Sequence, residues 1–174
     1  YGQYLDSLEM TATIKGFEPL YIQRIAQLTN KSNQFNLTTL RCSEDDIRAM
    51  AGDKNDLCLC GKLVDKFGDN GIVTVVAGRQ QGDVLDLTLW LMSCRVLKRG
   101  MEDAMMDTVV AEAAARGVKT IVGHYYPTAK NAMVREFYAQ YDFTKTAEDA
   151  DGNTEWTLDV AAYTPKHPHM KIER

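Results

Sequence analysis

No apolar run in this sequence approaches the roughly 20 residues a helix needs to cross a bilayer, which excludes a transmembrane helix. The start, YGQYLDSLEM, is polar and mixed and lacks the apolar stretch of a cleavable signal peptide. Positive charge is short: 20 Lys and Arg against 24 Asp and Glu give a formal net charge of −4. A broad nucleic-acid surface is therefore excluded, and no membrane surface is expected as a partner. Cysteine is scarce. Four residues, Cys42, Cys58, Cys60 and Cys94, read as free thiols in a reducing cytoplasm, not as a disulfide framework. The pair Cys58 and Cys60 points to one face of a strand but has no second pair and no neighbouring His, so no metal site is expected. There is no Gly-x-Ser-x-Gly elbow and no Ser, His, Asp order, which removes the common serine-hydrolase arrangements. Internal repeats and low-complexity blocks are absent too.

What is present suits one domain with a substantial core: 174 residues, 45% hydrophobic and 25% charged. Residues 1–8 read as a linker or a frayed helix end. Residues 9–163 read as the folded domain, and 164–174, with two Pro and two His (His167 and His169), as a poorly ordered tail. The chain begins without Met, so a longer protein is expected. Met10, Ala12 and Ile14 alternate as a first strand over 8–16. Pro19 opens a helix with Ile22, Ile25, Ala26 and Thr29 on one face. Ser43-Glu-Asp-Asp46 is a capping-box start for a short helix to about Met50. Strands follow over 56–65, 72–80 and 84–93, joined by turns at Phe67–Gly71 and Gln80–Asp83. A helix from Gly100 to Arg116 ends on Gly117. Then come a strand over 118–126, a helix over 130–141, and a hairpin of 142–146 with 153–160 around Asp149–Asn153. Strand, helix, strand after residue 84 implies a parallel pair with a right-handed crossover. The rest of the sheet is antiparallel. The expected fold is an α/β sheet of mixed sense, mostly antiparallel, with flanking helices and a cleft where the parallel strands splay.

The chain is organised around Leu91–Met106. Leu87, Leu89 and Leu91 alternate on the strand side. Met101, Ala104, Met105 and Val109 recur at helical spacing on the other. Between them lie Cys94, Arg95, Lys98, Arg99 and Gly100. A helix start with unpaired N–H groups, beside cations and a glycine, is suited to an anion or a thioester carbonyl. Arg95, Lys98 and Arg99 favour the thiolate of Cys94, which can hold an acyl group as a thioester. The competing reading is a strand-end cysteine acting as a small hydrophobe.

The segment Asn30 to Arg41 is unusually rich in amides and hydroxyls. Asn33, Gln34 and Asn36 either cap their own backbone or line the cleft and bind an amide-bearing ligand. Asn131 and Tyr138 are seven apart, on roughly one helix face. Taken by itself, Tyr138 reads as a core residue beside Phe137 and Phe143, and Lys130 as a surface lysine at the helix start. His124, on the strand leading to the cleft, reads as a core or surface His before it reads as a base.

This layout resembles the GNAT acyltransferase fold. In that family a Gln/Arg-x-x-Gly-x-Gly/Ala turn cradles the CoA pyrophosphate, and a later helix has the form Asn-x-x-Ala-x-x-x-Tyr, ending in Gly-Phe. Here Leu97-Lys-Arg-Gly100-Met-Glu102 takes the first position, and Asn131-Ala-Met-Val134-Arg-Glu-Phe-Tyr138 with Asp142-Phe143 takes the second. The resemblance implies that Tyr138 protonates a departing thiolate and that the Asn131 region contacts a pantetheine arm. Leu97 and Glu102 depart from the pattern, and a carboxylate at 102 would crowd and repel a pyrophosphate. Four strings, LTNKSNQFNLTT, FGDNGIV, LMSCRVLKRGMEDAMM and PTAKNAMVREFY, resemble more narrowly the C-terminal GNAT-like part of FkbH-like proteins.

That resemblance implies transfer of a glyceryl group from 1,3-bisphosphoglycerate to the phosphopantetheine thiol of an acyl carrier protein, for polyketide building blocks. A phosphatase domain of the haloacid dehalogenase type is the implied N-terminal partner. Its Asp-x-Asp-x-Thr signature is absent here; Asp149-Ala-Asp151 reads as a hairpin turn. On this reading Cys94 and Tyr138 are catalytic. Asn33, Gln34, Asn36, Arg95, Arg99, Gly100, Lys130 and Asn131 bind the arm or substrate. No cofactor is held tightly, and a carrier-borne phosphopantetheine or a CoA thioester is the co-substrate. The alternatives are an acetyl-CoA-dependent N-acetyltransferase and a non-catalytic docking module for the carrier.

Overall fold

The computed structural model describes residues 1–174. It opens on a short helix, α1 (Gly2–Ser7), where a linker or a frayed helix end was expected. Leu5 and the following Leu8 are buried in the main core, and this burial is what orders the segment. Strand β1 (Thr11–Lys15) alternates as the sequence predicts, with Ala12 and Ile14 inward. Pro19 opens a 3-10 turn that leads into α2 (Ile22–Lys31), and Ile22, Ile25, Ala26, Leu28 and Thr29 form its buried face. Arg41 closes the C-terminus of α2 by donating to the carbonyls of Thr29 (2.6 Å) and Ser32 (2.7 Å). Helix α3 (Glu44–Gly52) starts on the capping box of Ser43 and Asp46.

Strands β2 (Asp56–Asp65), β3 (Gly68–Gln81) and β4 (Val84–Met92) form an antiparallel meander. The first turn is tighter than expected. Asp65 pairs with Gly68, and the Asp65 carboxylate accepts the Phe67 N–H at 2.8 Å. Helix α4 (Met101–Ala115) and β5 (Thr120–Tyr125) complete the crossover. The helix expected over 130–141 is instead two 3-10 turns, Ala132–Val134 and Tyr138–Tyr141. Packing overrides helix propensity here: Val134, Phe137, Tyr138 and Tyr141 are all pressed inward. Strands β6 (Thr144–Glu148) and β7 (Thr154–Asp159) make the final hairpin.

The tail is ordered, contrary to expectation. Asp107 on α4 accepts from the Tyr163 hydroxyl (2.6 Å) and from the N–H groups of Lys166 and His167. These bonds lead the chain back to β8 (Lys171–Glu173), which pairs parallel with β1. Met170 and Ile172 pack against the core.

One eight-stranded sheet results, in the order β6-β7-β5-β4-β3-β2-β1-β8. A larger core lies between the sheet and α4, and a smaller one beneath α2 and α3. Strand β4 serves both. A bulge leaves Thr88 unpaired, so Leu85 and Leu87 face the α4 side while Leu89 and Leu91 face α2.

Strands β4 and β5 run parallel for only three pairs, Val84–Asp86 with Thr120–Val122, and then diverge. The divergence was predicted as an open cleft. It is filled by the chain itself. Leu37 donates to the Trp90 carbonyl, Met92 donates to the Phe35 carbonyl (both 3.0 Å), and Tyr126 donates to the Leu37 carbonyl at 2.9 Å. The segment Phe35–Leu37 thus acts as a short strand that satisfies the backbone groups left by the splay. No helix is long and apolar enough to cross a membrane.

Candidate functional site

At the end of β4 the chain leaves the sheet through a 3-10 turn, Cys94–Val96, where the Ser93 hydroxyl accepts the Arg95 N–H. The turn puts Val96 into the core and Cys94 outside, the only exposed cysteine of the four. The Cys94 thiol donates to Gln34 Oε1 at 3.2 Å. Around this pair lies a groove of about 690 Å³, with the end of α2 as one wall and the β4 terminus as the other. Asn33, Gln34, Cys94, Arg95 and Lys130, all singled out from the sequence, meet there. Asn33 is held in place by Arg41, whose guanidinium donates to its Oδ1 at 2.5 Å.

The other predicted site residues lie elsewhere. Asn36 is fully buried and caps its own loop: it donates to the Ser32 carbonyl (3.1 Å) and accepts the Thr39 N–H (3.0 Å). Asn131 is equally buried. Its amide donates to the carbonyls of Asn36 (2.9 Å) and Tyr126 (3.0 Å), and its Oδ1 accepts the Thr128 N–H at 2.8 Å. Both therefore hold the inserted segment: Asn131 has every donor and acceptor in use, and Asn36 is closed off from any ligand by burial.

Tyr138 is a core residue. Its ring lies over Gly123, where a Cβ would run into it, and packs against Phe143 at 4.8 Å between centroids. Burial, and then the charge of Asp86, push its hydroxyl far above the ordinary phenol range. It is buried away from Cys94 and does not line the same groove.

Arg99 turns away from the groove to pair with the buried Asp65 carboxylate at 2.7 Å. Of the three cations expected around the thiol, only Arg95 lines the groove. Gly100 does make the sharp turn, with φ of +93°, but Pro168 of the tail lies over it, 3.1 Å from where a Cβ would be. The Tyr1 hydroxyl donates to the Lys98 carbonyl on the same loop. Glu102 is inside this turn. Burial pushes its carboxyl up, while the backbone amides of Glu102, Gly100 and Lys98 pull it back down. The turn that would receive an anion therefore faces its own carboxylate and is roofed by the chain ends.

Two groove cations escaped the sequence reading, Arg24 and Lys31 on α2. Their spacing of seven residues, two helical turns, was the available signal. A second pair also escaped it: His124 Nε2 lies 2.5 Å from Asp86 Oδ1, where β4 and β5 part. The pair does not line the groove. Burial pushes the thiols of Cys58 and Cys60 up to about 12. Asp149 accepts from the backbone of Asp151 and Asn153, a hairpin turn as read. Nowhere do three or more His, Cys, Asp or Glu side chains gather as metal ligands would.

No family model matches this sequence, and a search of curated proteins finds no match. Solved structures do match, and the fold is that of the GNAT acetyltransferases, a mixed α/β sheet with flanking helices. The ribosomal-protein-S18-alanine N-acetyltransferase of Escherichia coli superposes with a TM-score of 0.64 at 15% identity, over 86% of this chain and 94% of that one. The GNAT domain of S. lividans PAT gives 0.64 at 16% identity, over 84% and 89%. The spermidine N-acetyltransferase of Vibrio cholerae, solved with CoA and spermine, gives 0.63 at 9% identity, over 86% and 96%. At these identities the likeness establishes the fold alone.

Proposed function

We propose that this domain transfers an acyl group, carried as a thioester on Cys94, to the phosphopantetheine thiol of an acyl carrier protein. The acyl group derives from 1,3-bisphosphoglycerate: attack at its acyl phosphate leaves a 3-phosphoglyceryl thioester and inorganic phosphate, and hydrolysis of the remaining phosphate ester by a phosphatase gives the glyceryl unit. The Cys94 thiolate attacks the acyl carbonyl, the carbon–oxygen bond to phosphate breaks, and phosphate leaves with its electron pair. The arm's thiolate then attacks the thioester, the bond to Cys94 breaks, and the Cys94 sulfur takes up a proton. Exchange between two thioesters is nearly balanced in free energy, so a cysteine suits the relay. In this scheme the amide N–H of Gln34 donates to the carbonyl oxygen as charge develops there. A phosphatase domain of the haloacid dehalogenase type, joined upstream, is the proposed partner, in a reducing cytoplasm.

The observation that carries this reading is the exposed Cys94 thiol bonded to Gln34 in a cation-lined groove. Intact-mass measurement with 1,3-bisphosphoglycerate and a carrier protein tests it. With no phosphatase in the mixture, a 3-phosphoglyceryl adduct appears on the wild-type chain and is lost in Cys94→Ala; an adduct retained in that variant removes Cys94 from the mechanism.

A second reading, an acetyl-CoA-dependent N-acetyltransferase, is favoured by the names of the structural relatives, one of them a CoA complex. Against it stand Glu102 in the turn and Phe35–Leu37 in the splay. Tight acetyl-CoA binding by calorimetry would decide for it.

A further inference from the structure

We infer that the groove beside Cys94 holds the phosphate group of a phosphate ester through Arg24, Lys31, Arg95 and Lys130. The inference takes from the proposed function only the identity of the ester; the anion site stands on the groove itself. Four cations line this groove and no carboxylate does, in a chain with more acidic than basic residues. Several cations elsewhere are neutralised, Arg99 by Asp65, Arg79 by Asp53 and Asp56, Lys62 by Asp69; others, such as Arg41 and Arg135, stand unpaired but singly. None of the four groove cations enters an ion pair. Arg24 donates only to Gln27 (2.8 Å), and Arg95 makes long contacts to Ser93 Oγ (3.3 Å) and the Asn70 carbonyl (3.4 Å).

Arg24 and Arg95 are close enough that the charge of Arg95, after burial, pushes Arg24 below its ordinary range. Like charges gathered without a counterion are unfavourable, and a dianion between them relieves the repulsion while accepting charge-assisted hydrogen bonds. The turn at the start of α4 offers no such place, because Glu102 and Pro168 occupy it. The capacity for phosphate lies instead at the α2 end of the sheet. A phosphate there leaves an attached acyl group or thiol within the same groove as the Cys94 sulfur.

Two sources share this chemistry: a free acyl phosphate or phosphate ester, and the phosphopantetheine arm of a carrier. The rate of Cys94 alkylation by iodoacetamide, read by intact mass, separates them. Cys94 is the one exposed thiol, so the other three contribute little signal. Inorganic phosphate, and pantetheine and 4′-phosphopantetheine with their thiols capped as S-methyl ethers so that they do not consume iodoacetamide, are the probes, at low salt. The expected result is that both phosphate-bearing probes slow alkylation and pantetheine does not. Protection at lower concentration by 4′-phosphopantetheine assigns the arm, and equal protection assigns a free ester. In Arg95→Gln/Lys130→Gln, exposed positions whose loss leaves the fold intact by circular dichroism, the protecting concentration rises about tenfold or more. No protection by either phosphate probe, or protection unchanged in the double variant, overturns the inference. Protection without any 3-phosphoglyceryl adduct keeps the anion site and removes the acyl relay, so the two failures are distinct.

Discussion

The side-chain amide of Asn131 donates to the backbone carbonyl of Asn36 at 2.9 Å, across 95 residues of sequence. This bond and its companion to Tyr126 pin the segment that fills the splay between β4 and β5. Asn131→Ala leaves two buried carbonyls and the Thr128 N–H without their partner. It is expected to destabilise the domain by about 3 kcal/mol, measured by urea unfolding. A change within about 0.5 kcal/mol would mean that the segment is held by something else.

Tyr138 is expected to be dispensable as an acid. Tyr138→Phe keeps the ring over Gly123 and should leave the rate of acyl loading near wild type, because the hydroxyl is buried in the core and removed from the groove. Loss of loading in a folded variant would restore the hydroxyl to the mechanism. Gly123→Ala is the converse experiment. The added methyl meets the Tyr138 ring and should cost about 1–3 kcal/mol, read as a lowered melting temperature.

Alkylation should distinguish the cysteines by burial. With Cys58 and Cys60 pushed up to about 12, both thiols stay protonated and inert at mildly alkaline pH. One adduct, on Cys94, is expected under native conditions near pH 8, and four after denaturation, since all four cysteines are free. A native adduct on Cys58 or Cys60 would show that their strand opens readily.

Glu102 gives a pH dependence of defined sign. Its carboxyl is pushed up in the folded protein, chiefly by burial, so the folded state binds the proton more tightly than the unfolded chain. Its ionisation therefore costs stability as pH rises through the folded value, and the cost vanishes at low pH, where both states are protonated. Glu102→Gln is expected to raise the melting temperature at pH 7, with the gain shrinking as pH falls through the carboxylate range. A gain independent of pH would assign the effect to packing.

Much of the sheet was legible in the sequence because alternation and turn chemistry are local. Met10, Ala12 and Ile14 mark β1, and Ser43 with Asp46 marks the start of α3. The site was legible in part. Cys94, Gln34, Asn33, Arg95 and Lys130 do share one groove, because the basic turn after β4 is a local feature. What could not be read depends on distant partners. Phe35–Leu37 is too short to carry a periodic pattern, and its bonds reach Trp90, Met92 and Tyr126. Tyr138 turns inward because Gly123 has no side chain to stop it. The last eleven residues are ordered by Asp107, which nothing in their own polar composition reveals.

The bond between the Tyr1 hydroxyl and the Lys98 carbonyl ties α1 to the loop that follows β4. Lys98 follows Cys94 by four residues in the loop after β4. With Pro168 lying over Gly100 as well, both termini clamp this one loop, so trimming either end should free it and raise its susceptibility to proteolysis.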